Sequence, residues 1–95
     1  MDDRQLLEDY LTSKSEAAFR TLVERHVGLV HGAAQRHVNN SALAEEITQA
    51  VFILLARKAP TLPLAVTIVG WLFRTTRFVA SRALRAEIRR QRREQ

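Results

Sequence analysis

On either side of one Pro-containing interruption, apolar residues in this chain recur at every third or fourth position, and nowhere do they alternate with polar ones over the length of a strand. No Asn-Gly pair supplies a hairpin turn. The pattern admits helices and little else, and the prediction is all-α: a compact bundle of about four helices. With 95 residues the chain can build one core. A domain of this size buries only about two thirds of the surface its unfolded chain exposes, so it is marginal alone and suited to leaning on a partner. The sequence has no cysteine, which removes disulfides and thiolate chemistry and fits a reducing cytoplasm. No apolar run approaches the length of a membrane span, and the acidic start Met1-Asp2-Asp3 is the opposite of a signal peptide's basic head. The expectation is a soluble, unexported chain.

The first helix is predicted over about Asp3 to Leu11, with Leu6, Leu7, Tyr10 and Leu11 on one side and acids in its first turn, where the helix dipole favours them. The second opens on the capping box Ser13-Lys14-Ser15-Glu16 and runs to about His37. Its inward stripe reads Phe19, Leu22, Val23, His26, Leu29, Val30, Ala33 and His37. Asn39-Asn40 breaks the chain, and Asn40 caps a third helix reaching about Lys58, with Leu43, Ile47, Ala50, Val51, Leu54 and Leu55 facing the core.

Between Lys58 and Val66 the periodicity fails, because Pro60 and Pro63 forbid a continuous helix. A connection this long in a compact domain usually has a function. The fourth helix is expected from near Thr67 to past Ala86. At 100° per residue, Leu72, Thr76, Val79, Ala83 and Ala86 gather on one face, flanked by Phe73, Ala80 and Leu84. Arg74, Arg77, Ser81, Arg82, Arg85, Arg89 and Arg92 gather on the other, together with Trp71 and Phe78. The helical domain is expected over residues 1–88, and the Arg-rich stretch 89–95 reads as a fraying helix end or basic linker.

The net charge of +5 conceals a segregation. Met1 to Ala56 carries five basic and eight acidic residues, whereas Trp71 to Gln95 carries eight arginines against two glutamates. Two different partners follow, with a polyanion at the C-terminal end, where counterion release drives binding.

Catalysis has little to work with. His26, His31 and His37 are five and six residues apart, so His31 points away from the other two on one helix, and no acid completes a metal set. Glu45 and Glu46 are adjacent and diverge, unlike a catalytic carboxylate pair. Neither an enzyme nor a cofactor is expected. Arginine alone suffices to hold duplex phosphates, but Trp71 and Phe78 among the arginines suit unpaired bases, since stacking contributes about 1–3 kcal/mol per base without a sequence match. The competing reading of Trp71 is a core residue packed on the long loop. On the third helix, Ala50 to Ala56 is apolar all round, which leaves Phe52 and Ile53 beyond the core stripe. Either the first helix covers them or a partner docks on Glu46, Gln49, Phe52 and Ile53.

Ala44-Glu45-Glu46-Ile47-Thr48-Gln49-Ala50-Val51-Phe52, followed after the Pro-containing loop by Gly70-Trp71-Leu72-Phe73-Arg74-Thr75-Thr76-Arg77, resembles region two of bacterial sigma factors of the extracytoplasmic-function group. The resemblance covers almost the whole chain. It implies a helical domain that binds the clamp helices of the RNA polymerase β′ subunit and recognises and melts the minus-ten promoter element. Carried over, it implies polymerase contacts at Glu45, Glu46, Gln49, Phe52 and Ile53. It implies DNA contacts at Lys58 and Thr61 in the loop that captures a flipped non-template base, and at Trp71, Arg74, Arg77, Phe78, Ser81, Arg82 and Arg85. Ala50 stands where many relatives have an acid, and Phe78 where an Asn is common. A complete factor of this group continues into a helix-turn-helix domain, so the expectation is a chain cut at a domain boundary. The resemblance adds an anti-sigma factor as a candidate partner, no cofactor, and a bacterial cytoplasmic setting at the nucleoid. The alternative is a stand-alone basic helical DNA- or RNA-binding module without a polymerase partner. A pure protein-interaction bundle leaves the Arg-aromatic face unexplained.

Overall fold

A computed structural model describes residues 1–94 of the chain as four α-helices, α1 (Asp3–Ser13), α2 (Glu16–Val38), α3 (Ser41–Lys58) and α4 (Ile68–Glu94), with a single 3-10 turn at Ala59–Thr61. The all-helical expectation holds. Each start has a local cause. Asp2 accepts from the Gln5 amide while the Gln5 side chain accepts from the Asp2 amide, a reciprocal capping box. Asn40 caps α3 as expected, accepting from the Leu43 amide at 3.1 Å. Thr67 precedes α4 and its hydroxyl accepts from the Gly70 amide at 3.0 Å.

The start of α2 differs from expectation. Ser13 is the last residue of α1, and Ser15 accepts from the Ala18 amide at 3.1 Å. The reversal is made by Lys14, in the left-handed region at φ 54°, after which the Ser15 amide donates back to the Asp9 carbonyl. Asn39 makes the corresponding left-handed stop after α2, with φ 50°.

The core is organised in rows of strict four-residue spacing. On α2 the buried residues are Ala18, Leu22, Val30, Ala34 and Val38, with the half-buried His26 in the vacant slot. On α4 they are Ile68, Leu72, Thr76 and Ala80. Helix α3 carries two such rows, Ala44-Thr48-Phe52 and Ile47-Val51-Leu55. Ridges of this spacing interlock in the commonest class of helix packing. They also explain three departures from the averaged stripe: Leu29 and His37 fall off the α2 row and are exposed, and Phe52 lies on an α3 row and is only 7% exposed. The buried Thr48 and Thr76 hydroxyls donate to the carbonyls four residues back, at 2.8 and 2.6 Å, so neither is left unpaired in the core.

Burial on α4 ends at Ala80, with Val79, Ala83 and Leu84 packed partly against the core. The helix then continues through the Arg-rich end to Glu94, giving an elongated molecule of 51 × 22 × 20 Å. Among the described residues, no helix is long and apolar enough to cross a membrane.

Candidate functional site

Two surfaces of opposite character stand on different helices. On α3, the rows that fill the core leave a stripe of Glu45, Glu46, Gln49 and Ile53 exposed, with Ile53 53% accessible. Phe52 does not belong to that stripe, because its ring is part of the hydrophobic core. The exposed face is therefore narrower and more acidic than the sequence suggested. A shallow hollow at its N-terminal end is lined by Asn40, Leu43 and Glu46 from α3 and its cap, and by Glu87 and Arg90 from α4. There Arg90 donates to both carboxylate oxygens of Glu87 at 2.6 Å. That hydrogen bonding, with the carboxylate's charge, holds the Arg90 guanidinium above its ordinary pKa.

The second surface follows α4. Arg74, Arg77, Phe78, Ser81 and Arg85 line one open groove together with His37 at the end of α2. A neighbouring groove is lined by Arg82, Arg85 and Arg89. Phe78 is 61% exposed, and the Arg82 guanidinium lies 5.5 Å from its ring centroid. An aromatic plane held open to water among guanidinium groups can stack on a base while its neighbours neutralise phosphates. Ser81 Oγ and His37 Nε2 are 3.2 Å apart, joining α4 to α2. Trp71 takes a different position from Phe78: it is half-buried and packs against the core.

The loop before α4 is ordered by hydrogen bonds. Lys58 ends α3 and is exposed, and the Thr61 hydroxyl donates to its carbonyl at 3.0 Å. Leu62 and Ala59 pack inward, while the tip residue Leu64 is exposed. Arg4 of α1 donates to the carbonyls of Pro63 and Val66. An open hollow lies here, lined by Asp2, Asp3 and Arg4 on one side and Leu64, Val66 and Val69 on the other. The structure thus gathers Arg74, Arg77, Phe78, Ser81 and Arg85 in one groove and sets Lys58 and Thr61 apart from it, at the end of α3.

Two residues at these surfaces were not foreseen. His37 lies on the stripe that the sequence predicts for the α2 core, and only its place off the four-residue row marks it as a groove residue. Arg4 carried a faint signal: a cation in a helix's first turn opposes the macrodipole and so calls for another reason to be there. Among the described residues, no three His, Cys, Asp or Glu side chains come together in a way that could hold a metal ion.

A family model described as Sigma-70 region 2 matches residues 22–94, which take in most of α2, all of α3, the loop and α4. No curated protein and no solved structure gives a match.

Proposed function

Because the chain belongs to the sigma-70 region 2 family, and so to the promoter-recognition part of sigma factors, we propose that it serves an alternative sigma factor of the extracytoplasmic-function group. In this reading the exposed α3 stripe of Glu45, Glu46, Gln49 and Ile53 docks on the clamp helices of the polymerase β′ subunit. The Arg-aromatic face of α4, with the loop before it, engages the non-template strand of the melted minus-ten element. The protein then works in the bacterial cytoplasm at the nucleoid.

The observation that carries the reading is the division of labour between α3 and α4. An acidic, partly apolar stripe suits a partner surface with apolar and basic groups, and its four residues are exposed beside the two packed rows of the same helix. The α4 grooves suit single-stranded nucleic acid, because they pair a solvent-open Phe78 with arginines. Flipping a base out of duplex costs a few kcal/mol, which a preformed surface and stacking can offset. Phe52, being buried, contributes by supporting the α3 stripe from beneath.

Capture of a β′ clamp-helix fragment by the immobilised chain tests the docking half. Gln49→Ala and Glu46→Lys are expected to weaken capture while leaving the helical circular-dichroism signal intact. Capture that both variants leave unchanged assigns polymerase docking to another face.

A further inference from the structure

The first turn of α1 ties together two parts of the molecule that lie far apart in sequence. On one side, Asp3 accepts from Arg25 Nη1 at 3.2 Å, and its other carboxylate oxygen lies 2.7 Å from His26 Nε2, so the turn is anchored on α2. On the other side, Arg4 Nη2 donates to the Pro63 carbonyl at 3.1 Å and to the Val66 carbonyl at 2.6 Å. Those two carbonyls bracket a tight turn, whose own hydrogen bond runs from the Val66 amide to the same Pro63 carbonyl at 3.1 Å. At its tip stands Leu64, 81% exposed.

Leu64 is thus a large aliphatic side chain presented to solvent on a backbone fixed at both ends, free to meet an apolar partner. The guanidinium does not sit where it does for the sake of α1, since a cation in the first turn opposes the helix dipole. Pro63 restricts the turn from within, and Arg4 closes it from outside. A contact surface fixed in advance does not lose affinity to the ordering of its own backbone when the ligand arrives. Apolar side chains presented in this way act in other nucleic-acid complexes as wedges against unstacked bases.

We infer that Arg4 is a positioning residue: by bonding both ends of the Pro63–Val66 turn it holds Leu64 as a preformed apolar platform against an unpaired base. The inference rests on the promoter-binding reading above and deepens it. It gives α1, which lies outside the matched family region, a part in DNA recognition. Arg4 touches no DNA in this account, and its effect passes wholly through the turn.

The test compares the 95-residue chain with Arg4→Met and Leu64→Ala, using amide hydrogen exchange at residues 64–66 and binding to fluorescent single-stranded DNA of random sequence and to mixed-sequence duplex. Arg4→Met is expected to speed exchange in the turn and to weaken single-strand binding about fivefold or more, with duplex binding within about twofold. Leu64→Ala is expected to show a comparable single-strand loss without faster exchange at Val66. Unchanged exchange in Arg4→Met overturns the lock, and unchanged single-strand affinity overturns the positioning role. A wild-type chain that fails to bind single strands overturns the promoter reading and the role given to Leu64 with it. That outcome is distinguishable, because the exchange difference between wild type and Arg4→Met would persist.

Discussion

Arg82 places its guanidinium over the ring of Phe78, 5.5 Å from the centroid, on the face of α4 opposite the buried Thr76 and Ala80. The contact gives an exposed aromatic a fixed orientation, because Arg82 is one turn further along and can reach back over the ring. In the proposed reading, the exposed ring is the surface on which an unpaired base stacks. Phe78→Ala is expected to reduce affinity for single-stranded DNA about tenfold, in the range of one lost stacking contact, with a smaller effect on duplex. Its unfolding temperature should stay close to wild type, because the ring is mostly exposed. Fluorescence anisotropy on both DNA forms checks this, and equal losses on the two would remove Phe78 from single-strand recognition.

Arg85 lines both grooves of the basic face. As a phosphate contact it should act without regard to sequence. Arg85→Ala is expected to weaken every DNA alike and to make the slope of log K against log salt shallower by about one. A salt titration decides the matter, and a loss confined to certain sequences contradicts the assignment.

Trp71 belongs to the packing of the domain. Its side chain is half-buried against the core, so Trp71→Ala should destabilise by about 1–3 kcal/mol, below the cost of a fully buried tryptophan. In a domain of this length that lowers the melting temperature by roughly 5–15 °C. A calorimetric scan with an unshifted transition contradicts the packing role.

The two serines near the α1–α2 junction separate cleanly. Ser15 satisfies the Ala18 amide, so Ser15→Ala should cost about 1 kcal/mol. Ser13 ends α1 and caps nothing, so Ser13→Ala should fall within about 0.5 kcal/mol of wild type. Urea unfolding of the two variants compares them directly, and a midpoint lower for Ser13→Ala than for Ser15→Ala would contradict the assignment of the cap to Ser15.

Those serines also mark the limit of what the sequence made legible. Either of two serines two residues apart can open a helix, and the choice depends on Lys14 adopting a left-handed turn, which local sequence only weakly specifies. Helix number, the Asn40 cap, the end of α3 at Lys58 and the interruption at Pro60 and Pro63 could all be read, because each has a strong local cause. Phe52 could not be placed, because a 100° projection averages a helix face along its length. Burial instead follows inclined rows set by the neighbouring helices, and Phe52 lies on one. The α3 stripe survives that correction through Glu45, Glu46, Gln49 and Ile53. The α4 face was legible as a charge pattern, but its groove needed His37 from another helix, and the locked loop needed Arg4 from the far end of the chain. Such tertiary pairings have no signature in one sequence.

The central claim is that α3 and α4 present two surfaces able to be occupied together. Its most direct test is the anisotropy of labelled single-stranded minus-ten DNA titrated with the chain, in the absence and presence of saturating β′ clamp-helix fragment. Separate surfaces predict that DNA affinity is kept or increased and that the bound-state anisotropy rises as a ternary complex forms. Displacement of the DNA by the fragment, with anisotropy falling to that of free oligonucleotide, would contradict the claim.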